Sequence, residues 1–280
     1  MLGHKLWQVL GLHLDTHVTV RRGGRAVALG ILDSDRTLTD VSADRLDTVA
    51  GAVATVRPDV VVNCIGIVKQ ADEARDPIAS ISINSLFPHR LAQLCGAEGI
   101  RLIHVSTDCV FSGRAGHYTE DDIPDPVDLY GRSKLLGEVA EGDCLTVRTS
   151  IIGRELWGAN GLLEWFLGAT GSVRGFRRAI FSGLTTQALA TTLASIICDH
   201  RTLAGIRHVA AEPISKFDLL GLLRDAYGLT VEIVADETVV CDRSLNATML
   251  EQETGLRAPS WAEMVAQLAA DETPYERLRS

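Results

Sequence analysis

Apolar residues follow two rhythms along this chain. Short unbroken runs recur through the first half: HVTV at 17–20, DVVVNCIGI at 59–67, RLIHVSTDCVF at 101–111 and CLTVRTSII at 144–152. A continuous Val/Ile/Leu run without polar alternation suits a strand covered on both faces, so these four predict a buried parallel sheet. Between them, apolar positions fall three and four apart. Leu2, Leu6, Val9 and Leu10 predict a first helix, and 44–56, 82–96 and 133–140 predict three more. Pro88 kinks or starts the third of these. Strands alternating with helices predict the α/β class, a doubly wound parallel sheet.

The second half changes character. GLLEWFLGAT (161–170) and LTTQALATTLASIICDH (184–200) read as helices. IRHVAA, a helix SKFDLLGLLRDAYG, a strand pair in TVEIVADETVVC and a last helix from Ser260 follow. They predict a smaller mixed α/β lobe, with the 184–200 helix returning to the first sheet. Residues 1–150 and 181–204 then form the sheet domain, and 151–180 with 205–272 the smaller lobe. No repeat or low-complexity linker intervenes, and only the last few residues read as a tail.

Composition narrows the function classes. A chain of 280 residues suits one large domain or two interlocked ones, and 46% hydrophobic residues supply a sizeable core. A net charge of -9 and a pI near 5.4 disfavour nucleic-acid or anionic-membrane surfaces and leave room for a local basic pocket. The six cysteines, at 64, 95, 109, 144, 198 and 241, form no CxxC pair, and most sit in apolar runs. They read as reduced, buried thiols of a cytoplasmic protein. Neither they nor the eight histidines have zinc-ligand spacing, so no metal is expected, and His4, His104 and His208 read as structural. No apolar stretch reaches membrane-spanning length and no secretory leader is recognisable. A homodimer is left open.

The sharpest chemical pattern is YGRSK, Tyr130 to Lys134. Residues four apart share a helix face, so the Lys134 ammonium can sit near the Tyr130 phenol. A nearby cation favours the phenolate and makes Tyr130 a usable proton donor or acceptor for a carbonyl/alcohol pair. Upstream, Ser106-Thr107-Asp108 ends a predicted strand. A hydroxyl there faces the ligand crevice of a parallel sheet, where Thr107 can bond the oxygen that Tyr130 protonates. Asp108 reads either as a substrate contact or as a turn cap.

STDCVFSG, PVDLYGRSKLLGE and RTSIIG together closely resemble the extended short-chain dehydrogenase/reductases, most of all their dTDP-4-dehydrorhamnose reductase branch. The resemblance runs on through DVVVNCIG, INSLFPHRLAQLC, IFSGLTT and AEPISKFDLL, essentially the whole chain. It implies a Rossmann cofactor domain and a sugar-nucleotide lobe, with hydride passing from a nicotinamide to the 4-keto group of a nucleotide-linked sugar. Tyr130 would be the general acid. Lys134 would lower its pKa and hold the nicotinamide ribose, and Thr107 would orient the keto oxygen. Asp40-Val41 resembles the adenine-side pair, and Asn63-Cys64-Ile65 the strand end under the cofactor. Arg21 and Arg22 suit a 2′-phosphate, so NADPH is expected over NADH.

Two departures bear on the substrate and the cofactor. After RTS the branch carries Trp-Val-Tyr, whereas here Ile151, Ile152 and Gly153 leave the sugar without an aromatic wall. Trp157 and Trp165 are the candidates for such a wall, although both read better as core. Substrate contacts are otherwise expected from Arg177, one of the arginines in VRGFRR with Arg174 and Arg178, and from Lys69. The second departure concerns the opening. Leu2-Gly3 resembles the end of a GxxGxxG turn, with Gly3 as the third glycine that lets helix pack on strand. The strand and first two glycines lie outside this sequence, which is consistent with an upstream start, a fragment or a degenerate homologue. A non-catalytic dinucleotide-binding regulatory subunit and a sugar-nucleotide epimerase are the competing functions.

Overall fold

The computed structural model describes residues 1–22, 24–69 and 72–279. Four of the expected apolar runs become strands. β1 (Val18–Thr19) pairs in parallel with β2 (Thr37–Leu38). β3 (Val60–Asn63), β4 (Arg101–Val105) and β5 (Cys144–Arg148) form a second parallel sheet in that order. Each of its members is short and apolar, and Leu102, Ile103, Leu145 and Val147 are fully buried between helical layers. Among the described residues no strand bridges β1 and β3, so the Rossmann-like array consists of two separate sheets.

The helices cover these sheets. The first, Leu2–Leu10, turns Leu2, Leu6 and Leu10 into the main core, where they pack on the helix Thr186–Asp199. The latter is fixed at its start by Thr185, whose hydroxyl accepts Ala188 N–H. On the other face, Leu46–Val56 and Phe87–Ala97 enclose a second cluster around Phe87, Leu91 and Cys95. The third expected helix begins with a π-helical stretch, Ile81–Leu86, and Pro88 falls in the first turn of the α-helix that follows.

β6 (Ile151–Ile152) leads away from β5. The smaller lobe then contains β7 (Ser172–Phe176) and β8 (Ala179–Phe181), before the chain returns through β9 (Leu184–Thr185), which pairs with β6. β10 (Gly205–His208) adds to the edge of β5, so the main sheet extends past the expected boundary at 204. The physical reason is four residues of regular parallel hydrogen bonding in register with Leu145–Arg148. β11 (Ile214–Ser215), β12 (Glu232–Asp236) and β13 (Cys241–Asp242) complete the lobe. The TVEIVADETVVC segment does not pair with itself as expected. Instead, β12 pairs in parallel with β7 and β13 with β8, because a partner strand is already available to each.

The carboxyl-terminal segment is folded, not a tail: Tyr275–Arg279 is helical and Tyr275 is 2% exposed. Ser280 lies outside the described residues. Tyr275 OH donates to Asp271 and lies 2.9 Å from His4 Nε2, while Lys5 pairs with Asp271 at 2.5 Å. The Arg154 guanidinium stacks 4.6 Å over the Tyr275 ring. No helix of the described residues is long and apolar enough to cross a membrane, and no group of these residues has metal-ligating geometry.

Candidate active site

Tyr130 and Lys134 lie on the helix Leu129–Leu136, which starts earlier than the apolar pattern indicated because Asp128 caps it. The Asp128 carboxylate accepts Gly131 N–H at 2.8 Å, and Lys69 pairs with its other oxygen at 2.7 Å. Burial pulls this carboxyl upward, but the Gly131 hydrogen bond and Lys69 leave it below the ordinary range. Lys69 therefore stands at the mouth of the site, tied to the cap of the catalytic helix.

Gly131 sets how close that helix comes to the end of β4. A Cβ there would lie 2.2 Å from the Cys109 carbonyl oxygen. Gly131→Ala must push the helix off the 107–110 turn, and we expect a loss of roughly 1–3 kcal/mol in urea unfolding, together with the Thr107–Tyr130 contact. Unchanged stability would show that the approach is looser than described.

Thr107 caps that turn: its Oγ1 accepts Cys109 N–H at 3.2 Å and is 6% exposed. The Thr107 hydroxyl donates to Asp108 Oδ1 at 3.2 Å, and its place beside the Tyr130 hydroxyl favours the phenolate. The opposing effect is larger. Burial, followed by the Cys109 and Asp108 groups, pushes the Tyr130 phenol above its usual value. The expected lowering by Lys134 is not found. Lys134, 4% exposed, turns inward to the β4 backbone, donating to Val105 O at 2.8 Å with His104 Nε2 at 3.4 Å. Burial brings Lys134 itself down to about 8, against the pull of Glu138 and Cys64.

Asp108 is 7% exposed, and burial raises its carboxyl. The cations that counter this are Arg243 and Lys216 from the smaller lobe. Arg243 donates to Phe111 O at 2.9 Å, and the Lys216 ammonium lies 4.0 Å over the Phe181 ring. Sequence reasoning missed both residues. A signal existed: the chain has four lysines, and Lys216 alone falls in the second lobe, next to the helix cap Ser215.

Asn84 was also missed. It is a polar residue inside an apolar helix, 1% exposed in the π-helical stretch. Its side chain accepts Ile67 N–H at 2.8 Å and donates to Ile67 O at 3.0 Å and Ser133 Oγ at 3.1 Å. It ties the segment after β3 to the helix of Tyr130 and Lys134.

On the expected cofactor side, Asn63, Cys64 and Ile65 lie at the end of β3, beside Lys134. A Cβ at Gly66 would come 3.9 Å from the Lys134 nitrogen. Arg21 and Arg22 follow β1 and are exposed. Asp40 has φ +61°, and Val41 N–H donates to Val20 O at 3.3 Å, which brings the pair beside the arginines. Leu2 is core. Gly3 does not serve close packing, since a Cβ there meets nothing within 4 Å, because no described strand opposes that face.

Ile151 is half-buried in β6. Arg177 is not brought to the site: it is exposed and stacks 4.1 Å over Phe217. Trp157 and Trp165, 49% and 46% exposed, are not core.

A dinucleotide fits this surface at both ends. The residues expected at the nicotinamide end are a buried lysine, a half-buried phenol and an exposed Ile65, and those expected at the adenine end include two exposed arginines. The described residues supply no glycine turn for the pyrophosphate between them.

A family model described as the RmlD substrate binding domain matches residues 9–168. A dTDP-4-dehydrorhamnose reductase of Mycolicibacterium smegmatis is 33% identical over 207 residues, 70% of this chain and 63% of that protein. Another, from Streptomyces griseus, is 37% identical over 164 residues, 58% of this chain and 48% of that protein. The match thus spans less than two thirds of either relative. The fold is that of a dTDP-4-dehydrorhamnose reductase of Bacillus anthracis solved with NADP. The TM-score is 0.74 at 20% identity, covering 91% of this chain and 99% of that one. With more than half of its residues inside the family match, the chain belongs to the RmlD substrate binding domain family.

Proposed function

We propose that this chain is the sugar-nucleotide- and proton-handling part of an NADPH-dependent reductase, acting on the 4-keto group of a nucleotide-linked deoxysugar. One observation carries the reading: Thr107 and Tyr130 stand side by side, with Lys134 one helical turn on, at the carboxyl ends of parallel strands. When bound, the nicotinamide supplies the hydride. Tyr130, held protonated by burial, enters the reaction as the proton donor and gives its proton to the oxygen that becomes the new hydroxyl. The Thr107 hydroxyl orients that oxygen.

The remaining roles follow from placement. Lys134, Asn63, Cys64 and Ile65 hold the nicotinamide end, Asp40 and Val41 the adenine, and Arg21 and Arg22 the 2′-phosphate. Leu2 and Gly3 open the helix whose start faces the pyrophosphate. Lys216 and Arg243 supply the positive charge that a sugar-nucleotide diphosphate needs, with Asp108 and Lys69 beside the sugar. Residues 1–150 and 181–204, extended by β10, form the cofactor side, and the rest forms the substrate lobe. The free cysteines support the reading of a cytoplasmic protein.

Tyr130→Phe should retain NADPH binding and lose about 10²–10⁴-fold in NADPH oxidation with dTDP-4-dehydrorhamnose. Turnover at the parent rate would remove Tyr130 from the chemistry.

A further inference from the structure

Behind the Thr107–Tyr130 face lies a second row of polar groups: Asn63 on β3, the inward-turned end of Lys134, and between them His104 on β4, which has no role in the steps above. All three are nearly inaccessible, at 2%, 4% and 0% exposure.

Their hydrogen bonds have a direction. Asn63 Oδ1 accepts Ile65 N–H at 3.0 Å, which fixes the amide orientation. The Asn63 nitrogen therefore faces His104 Nδ1 at 3.0 Å. An amide nitrogen only donates, so Nδ1 must be the acceptor. Burial, with Lys134 and His89 adding to it, keeps the imidazole neutral. A neutral ring that accepts at Nδ1 carries its proton on Nε2. That Nε2–H points at Lys134 Nζ, 3.4 Å away.

A neutral amine has a lone pair to receive this N–H, whereas an ammonium has only donors. The bond from Lys134 to Val105 O is available to either form. Two groups favour the ammonium, Glu138 just past the end of the same helix and Cys64 just after β3. The Glu138 carboxylate is engaged by Arg148 at 2.8 Å and by Ser106 Oγ at 2.7 Å, and burial holds Cys64 as a thiol, pushed up to about 12.

We propose that Asn63 and His104 are a positioning pair: Asn63 fixes the His104 tautomer, and the Nε2–H so presented disfavours the Lys134 ammonium, so that this side chain gives up its proton more readily than an ordinary lysine. For its purpose this rests on the reductase reading, in which a lysine titrating near the working pH can exchange protons behind Tyr130. Its chemistry stands apart from that reading and can be tested without turnover.

The test is NMR of the full chain labelled with ¹³C-lysine and ¹⁵N-histidine. Only Lys5, Lys69, Lys134 and Lys216 contribute lysine signals, and Lys134→Arg identifies the one of interest. We expect the Lys134 ε-carbon to titrate at about 8, below the usual lysine range, and the His104 ring to carry its proton on Nε2 throughout the neutral range. Asn63→Asp keeps the shape but accepts from Nδ1–H, so the ring should switch tautomer and the Lys134 midpoint should rise by about one unit or more. Asn63→Ala removes the donor without adding charge and should shift the midpoint in the same direction. An Nδ1–H ring in the parent protein, or a Lys134 midpoint unmoved in both variants, would overturn the proposal. If the variants fail to fold, the tautomer in the parent protein decides alone.

Discussion

Taking the protein from about pH 7 to about pH 4 should remove roughly 6 kcal/mol of folding stability through two histidines alone, at ~1.4 kcal/mol per tenfold change in proton affinity. His4 and His208 are 5% and 0% exposed, and burial holds them at about 3 and about 4, against 6.5 for the free side chain. The unfolded chain binds a proton at each as the pH falls through 6.5, whereas the folded chain does not. The loss therefore begins as the pH falls below 6.5 and is complete once it has passed the folded values. By pH 4 each has lost about 3 kcal/mol. His104, also held well below 6.5, acts in the same direction. Asp108 and Glu120, raised by burial, act against it.

At His208 the Arg148 guanidinium adds to burial in resisting protonation, while the bond to Tyr118 O pulls the other way. His208 Nδ1 donates to Tyr118 O at 3.0 Å, and its other nitrogen faces the Arg148 guanidinium at 3.5 Å. Urea titrations at both pH values measure the loss, and His208→Gln should reduce the difference between them by about half. An unchanged difference in that variant would show that His208 is not held neutral.

The second large effect is at Glu138. Its two oxygens accept from Arg148 Nε and Nη2 at 2.9 and 2.8 Å, with both side chains at most 5% exposed. Removing one partner leaves the other buried without its counter-charge, so Glu138→Gln should cost about 3–5 kcal/mol in urea unfolding. Arg148 also packs its guanidinium 5.3 Å over the Phe111 ring, itself stacked on Tyr118 at 4.2 Å. The double variant Glu138→Gln/Arg148→Met should regain part of the loss, because it removes the orphaned cation. Additive losses would mean that the two groups do not act as a pair. Since Glu138 also holds Ser106, the neighbour of Thr107, the single variant should disturb the catalytic turn as well.

How much of this was legible in the sequence depended on how local each cause is. VVVN, RLIHV and CLTVR announce their strands because burial on both faces is written into consecutive residues. The YGRSK helix was recognisable from its own spacing, and its true start depends on Asp128, a single cap two residues before Tyr130. The partners of β12 and β13 lie about sixty residues upstream, and nothing within TVEIVADETVVC specifies them. The same holds for Lys216 and Arg243, which meet Asp108 only because the smaller lobe folds over the end of β4. The state of Tyr130 was misread for a related reason. Spacing places Lys134 one turn away, but burial, which spacing does not reveal, governs the phenol.

The contacts between the first helix and the final segment have a consequence for the order of folding. His4 and Tyr275 are 271 residues apart in the chain, and Lys5 and Thr273 are 268 apart. Closing so long a loop yields no contact until nearly everything between is in place. These bonds therefore form late, after the two sheets and the smaller lobe have brought the ends together. In reverse, loss of the final segment strips His4 and Lys5 of these partners, while Leu2, Leu6 and Leu10 still hold the first helix on the main core.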